Sequence, residues 1–187
     1  MPFAVAQALA PALVPVLDVI GFVAFFAVSV ALSIVDAREH RLPNKLVGLA
    51  AVIGIPTFAT TALLMGDWQP LWRALACSAG AFAVYFVLHV LARTKNSAGL
   101  GAGDVKLAGV LGLYLGWISV DATVLGIATG YVLGALFSLV LLAFRRAHRT
   151  SRVAFGPWML AGAWLVIAVA AANTASGLPD LLFSHYS

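Results

Sequence analysis

The sequence predicts an all-α, polytopic membrane protein with about six transmembrane helices, and three observations predict it. Of 187 residues, 63% are apolar and only 10% charged, with a mean hydropathy of +1.02. Soluble domains run at about 45–50% apolar and about 25% charged. The chain also contains six long stretches free of Asp, Glu, Lys and Arg. The charged residues between those stretches sort onto alternate loops, as topology signals do. The single Cys77 excludes an internal disulfide and a CxxC zinc pair, and the length predicts one domain over 1–187.

A hydrocarbon core of about 30 Å asks for roughly 20 apolar residues per helix. The first predicted span, about 15–36, holds the uncharged run 19–35, and no Lys or Arg precedes it. It therefore lacks the basic region of a secretory signal peptide and is expected to be retained. The second span covers 46–66 and follows a Leu42-Pro43-Asn44 turn, where Pro43 restricts its predecessor to extended backbone. The third covers about 72–92. The fourth, 105–120, contains an uncharged run at 107–120, a length it shares with re-entrant segments. The fifth covers 122–144, and the sixth 154–173, with Pro157 suited to a first helical turn.

Charge decides whether the fourth segment crosses. If six helices cross, Arg38, Arg41, Lys45, Arg93, Lys95, Lys106, Arg145, Arg146, Arg149 and Arg152 share one side, and only Arg73 lies opposite. If it does not cross, the four arginines at 145–152 fall on the outside, against the positive-inside rule. Six crossings put both termini on the extracytoplasmic side. The formal charge of +4 then orients the chain, and no nucleic-acid partner is implied. Gly126, Gly130 and Gly134, and Gly112 with Gly116, have the small-xxx-small spacing of closely packed helices, read as packing within the chain ahead of a dimer face. Trp68, Trp72, Trp117 and Trp158 fall at predicted interfaces and read as belt anchors.

Ionisable residues at membrane depth mark function. Of the seven acids, Asp67, Asp121 and Asp180 fall in outer loops or the tail, Asp18 at the outer end of span 1, and Glu39 in a basic loop. Asp36 and Asp104 remain, one closing span 1 and one opening span 4 on the same side. Two carboxylates a few ångströms apart share a proton, which supplies an acid and a base for setting water on an amide. Gly101 and Gly103 before Asp104 suit a close approach or unusual φ at the helix entrance. The plainer reading makes Asp104 an N-cap and Asp36 a partner of Arg38 or Arg41. Helix dipoles favour the carboxylate at Asp104 and the neutral acid at Asp36. His40, His89 and His148 read as structural, without metal-ligand spacing.

Gly101-Ala102-Gly103-Asp104-Val105-Lys106-Leu107 resembles the GxGD motif of membrane aspartyl proteases, in the GxGDxKL form of bacterial type IV prepilin peptidases. Asp36, followed six residues later by Leu42-Pro43-Asn44, resembles that family's first aspartate motif, and Phe155-Gly156-Pro157 its PFGP-like motif, with Ala154 where the family often has proline. GxGD alone is a weak signal; the three together, in the family's order over about 19–173, are specific. The resemblance implies an aspartic endopeptidase of the bacterial inner membrane, its site facing the cytoplasm, that removes the short basic leader of a prepilin or pseudopilin by cleavage after a glycine. Asp36 and Asp104 would be catalytic, and Gly101, Gly103, Lys106, Pro43, Asn44, Phe155, Gly156 and Pro157 would support the site or bind substrate. Lys106 reads equally as a charge tuning Asp104 or as a snorkelling anchor.

No metal or cofactor is called for; the implied partners are the substrate and membrane lipid, and the oligomeric state is open. Many members carry an N-terminal domain with two CxxC pairs that accompanies methylation; only Cys77 stands here, so that activity is not expected. The competing reading is a small membrane transporter or secretion-system scaffold subunit whose two acids bind an ion or relay protons. Against it stand the absence of an inverted repeat and the placement of both acids at one edge. Presenilin-like and signal-peptide-peptidase-like proteases use a Tyr-Asp pair, whereas this chain has Val35-Asp36 and the Leu-Pro-Asn turn.

Overall fold

The computed structural model describes residues 2–39, 42–94, 101–143 and 154–176. The topology readings placed on Arg41, Lys95, Arg145, Arg146, Arg149, Arg152 and Asp180, and the readings of His40 and His148, lie outside the described residues. Within them the chain forms six helices: α1 (Pro2–Glu39), α2 (Asn44–Met65), α3 (Gln69–Thr94), α4 (Ala102–Ile118), α5 (Val120–Ala143) and α6 (Gly156–Ser176). Helix α1 begins well before the expected residue 15, and its stretch Ala10–Glu39 is apolar enough to cross a membrane, as are parts of α2, α3, α5 and α6. The protein is a multi-pass, all-α membrane protein.

Local chemistry sets the helix ends. Gly66 closes α2 in the left-handed region, at φ 70°, where only glycine is unstrained. Its N–H bonds Leu63, and the Asp67 N–H reaches back to Ala62. Asp67 Oδ1 then accepts the Gln69 N–H at 2.9 Å to start α3. The break between α4 and α5 falls at Ser119, ahead of Asp121 where it was expected. There the extended backbone ends one helix while Ser119 Oγ accepts the Ala122 N–H at 2.9 Å to cap the next.

Helix α4 is the centre of the molecule. Leu107 through Trp117 are all buried, and α2, α3, α5 and α6 all pack against it. At 17 residues it is about 25 Å long, short of the hydrocarbon thickness. A helix enclosed on every side is matched to its neighbours rather than to lipid, so its length and all-round apolarity belong together. Tyr114 stacks on Phe25 with centroids 3.9 Å apart and donates its hydroxyl to Ala50 O at 2.9 Å, filling the space that Gly54 leaves. Trp117 is stacked on Phe58 at 4.5 Å and buried, so it is a core residue and not a belt anchor; Trp68 and Trp72 are exposed. The outer helices turn residues such as Val52, Val124 and Val132 outward, as lipid-facing surfaces do.

Both glycine stripes pack within the chain. A Cβ on Gly112 would lie 2.5 Å from the Cys77 carbonyl oxygen, and one on Gly116 2.5 Å from Cys77 Cβ, which seats α3 directly on α4. Gly126, Gly130 and Gly134 face Ala163, Met159 and Phe155, and Gly162 meets the Gly130 backbone, which seats α6 on α5.

The bundle has two chemically distinct ends. At one, Arg73 donates to the carbonyls of Gly116, Trp117 and Ile118 at 2.9, 2.7 and 3.1 Å, satisfying the last turn of α4. Asp18 accepts Thr61 Oγ1 there at 3.2 Å. Asp36 lies 18 residues along α1 from Asp18, about 27 Å away, at the opposite end.

Candidate active site

At that opposite end the chain brings together the end of α1, the 42–44 turn, the end of α3 and the starts of α4 and α6. Asp36, the last buried residue of α1 at 5% exposure, accepts the Gly156 N–H at 3.1 Å. Gly156 opens α6, so the carboxylate sits on the positive end of a second helix. Asp104 lies in the first turn of α4, where its Oδ2 accepts the Gly101 N–H at 3.0 Å and its own N–H reaches the Gly101 carbonyl at 3.0 Å. This is half of a capping box, with the carboxylate folded back over the helix start. Each acid therefore accepts one backbone N–H at a helix N-terminus. Asp36, expected at the negative end of α1, therefore also meets the positive end of α6.

Leu42 ties the two acids to one place. A Cβ on Gly103 would lie 2.8 Å from Leu42 Cβ, and one on Gly156 3.3 Å from Leu42 Cδ2 and 2.6 Å from Asp36 Oδ2. One leucine thus wedges between the entrances of α4 and α6, and only glycine fits on either side. Asp36 lies within electrostatic range of Asp104. Unusual φ is not what these glycines supply: Gly101 sits at φ −66°, and among the described glycines only Gly66 has positive φ. Close packing is their reason.

The remaining predicted site residues fall around this centre. Pro43 precedes α2 and offers its carbonyl to the N–H groups of Leu46 and Val47. Lys106 Nζ donates to Asn44 Oδ1 at 2.8 Å, so the lysine latches α4 to α2, a role beyond the two expected for it. Phe155 carries the N-cap carbonyl of α6, bonding the N–H groups of Trp158 and Met159, and Pro157 occupies the first turn. The ring of Phe155 lies 5.1 Å from Tyr131, which lies 5.6 Å from Tyr85.

Three residues of this centre were not singled out as site residues from the sequence. His89, read as structural, and Tyr85 one turn earlier on α3 both lie within electrostatic range of Asp104; Leu42 was read only as part of a turn. The 85 and 89 spacing gives one helical face, but nothing local says which helix that face meets.

The arrangement is two carboxylates from distant parts of the chain, both held by backbone N–H groups at one end of the bundle. Sharing one proton between two carboxylates is the requirement for acid–base work on water.

Comparison with known proteins agrees with this reading of the motifs. The type IV leader peptidase family matches residues 23–183. The chain is 31% identical over 144 residues to the prepilin leader peptidase/N-methyltransferase of Aeromonas salmonicida (strain A449), covering 75% of this chain and 46% of that protein. It is 30% identical over 139 residues to the protein of the same name from Pseudomonas putida, covering 73% and 45%. For that of Escherichia coli (strain K12) the figures are 29% over 163 residues, 86% and 69%. The chain therefore spans about half the length of the first two relatives. No solved structure matches it. With the family's motifs converging on one end of a six-helix bundle and its pattern running through most of the sequence, the chain belongs to the type IV leader peptidase family.

Proposed function

We propose that the protein is an aspartic endopeptidase that removes the short basic leader from type IV prepilins or pseudopilins, cleaving after a glycine at the cytoplasmic edge of the bacterial inner membrane. The observation that carries this reading is the joining of Asp36 and Asp104 by Leu42, Gly103 and Gly156, in a chain whose relatives are named prepilin leader peptidases. The proposal is confined to the peptidase step. The orientation rests on the basic residues that flank the same ends of the helices.

In the proposed reaction one aspartate is ionised and the other neutral. The ionised carboxylate takes a proton from water as the water oxygen bonds to the scissile carbonyl carbon, and the carbonyl pair moves onto its oxygen. When the carbonyl re-forms, the C–N bond breaks and the neutral partner passes its proton to the leaving amine. The dyad ends with one proton, now on the other aspartate. A membrane-edge position suits this substrate, whose leader is polar and whose following segment is an apolar helix. Water reaches the edge, while the apolar part of the substrate stays in the membrane.

The test is cleavage of a prepilin by the protein reconstituted in liposomes. Wild type is expected to release the leader and Asp104→Ala to leave it attached. If both leave the substrate equally intact under conditions where a known peptidase cuts it, the reading is wrong.

A further inference from the structure

Toward the end of the bundle opposite the dyad, α1 and α6 part and leave a groove of about 520 Å³, floored by Trp117 and Ile118 from the last turn of α4. Its lining is apolar but for Thr174 and Asp18, and among the described residues that line it Asp18 alone carries a charge. From Asp18 the α1 wall runs eight residues, about 12 Å, to Phe26. The Phe26 ring meets Trp164 of α6 edge on, with centroids 5.0 Å apart, and bridges the two helices at the deep end. Val19 and Val23 on the same wall are exposed, so the groove opens sideways to lipid.

Asp18 is held in place, because one of its oxygens accepts Thr61 Oγ1 at 3.2 Å. No side-chain cation answers its charge. Of the described Lys and Arg residues only Arg73 lies at this end, and its three hydrogen bonds go to the last carbonyls of α4. An acid at the membrane edge without a basic partner is expensive and marks a binding site. The depth of the groove decides what binds. A helix that crosses the membrane needs a wall of about 30 Å, and one running from the dyad would start at Asp36, ten residues or about 15 Å beyond the Phe26 and Trp164 bridge. An acyl chain enters from headgroup level and needs only a short apolar wall. Asp18 is at that level, since its separation of about 27 Å from Asp36 is close to the hydrocarbon thickness. Its carboxylate repels an anionic headgroup and attracts a cationic one. A primary ammonium also brings three N–H donors, which a quaternary one lacks.

We infer that the α1–α6 groove binds a phospholipid with an ethanolamine headgroup from the leaflet opposite the dyad. The ammonium donates to Asp18, and an acyl chain lies along Phe22 to the Phe26 and Trp164 bridge. The lipid fastens α1 to α6, the two helices that the Asp36 bond to Gly156 joins at the other end.

The experiment takes wild type, Asp18→Asn and Ala171→Phe, purified in detergent, and adds ethanolamine, choline or glycerol phospholipids of identical acyl chains. Lipid retention is read by native mass spectrometry and the lipid-induced change in melting temperature by thermal unfolding. Asn keeps the shape of Asp18 and the acceptor for Thr61, while Ala171 is an exposed lining residue whose enlargement fills the groove without entering the core. Wild type is expected to retain one ethanolamine lipid in preference to the other two and to gain about 2–4 °C from it. Asp18→Asn is expected to bind it about tenfold more weakly, the loss of one charge-assisted hydrogen bond, and Ala171→Phe to lose the lipid and the gain in melting temperature. Equal retention of the three headgroups by wild type, or an Asp18→Asn protein that keeps the ethanolamine preference, overturns the inference. If Ala171→Phe leaves lipid retention unchanged and raises KM for prepilin cleavage instead, the groove holds the substrate helix and the inference is likewise overturned.

Discussion

Gly156 has no side chain because there is no room for one. A Cβ there would lie 2.6 Å from the Asp36 carboxylate and 3.3 Å from Leu42, and Asp36 is buried, with little space to retreat. Gly156→Ala is therefore expected to displace the carboxylate and lower prepilin cleavage by about 10²-fold, since small misplacements of a reacting group cost that much, while the protein still folds and inserts. Cleavage at the wild-type rate would show that the Gly156–Asp36 contact has no part in the reaction. At this scale the sequence was informative about the acids and poor about their surroundings. Asp36 and Asp104 stand out once Asp18, Asp67 and Asp121 are assigned to the far end and Glu39 to a basic loop. Leu42 looks like any leucine before a proline. Its role exists only because Gly103 and Gly156, 53 residues apart in the chain, flank it in space. Lys106 likewise offered two readings, and its hydrogen bond to Asn44 across 62 residues is a third that no local pattern encodes.

Among the helices, α4 and its cap on Arg73 show what an element needs beyond its own composition. The last carbonyls of a helix have no partner within it, and α4 ends inside a bundle where water is scarce. Arg73, from the start of α3, supplies three hydrogen bonds to them, and its charge complements the negative end of the dipole. In the sequence it was only the one basic residue on the wrong side. Arg73→Gln is expected to destabilise the protein by about 2 kcal/mol, read as a lower melting temperature in detergent, with activity per folded molecule retained because the dyad is at the other end. An unchanged melting temperature would mean that water serves those carbonyls equally well. The glycine stripes were legible as close packing, and close packing is what they do. Which helix each one meets was not, because small-xxx-small spacing fixes a distance of approach and leaves the partner open. The helix bounds at the start of α1 and at the α4–α5 break at Ser119 differ from the expected span bounds for a related reason. Absence of charge sets only a lower bound on helix length, and a serine capping two helices at once reads as an ordinary polar residue in a short loop.

For the molecule as a whole, a few charges organise an apolar bundle into two ends. Sorting the basic residues by loop was enough to read six helices and to put Asp36 and Asp104 together, because alternation of direction fixes which helix ends share a side. Adjacency within that side is a property of packing. The Asp36 bond to Gly156 spans 120 residues and exists because α6 packs on both α1 and α4. That bond and the Leu42 wedge bring the helix ends that carry the two acids to one place. A pair that acts as a unit has a kinetic signature, since removing either member costs as much as removing both. The decisive measurement is the rate of leader release by reconstituted wild type, Asp36→Asn, Asp104→Asn and the double variant. The prediction is a loss of at least about 10³-fold for each single variant and no further loss in the double. A single variant that keeps more than about a tenth of the wild-type rate, or losses that multiply in the double, would contradict a shared-proton dyad.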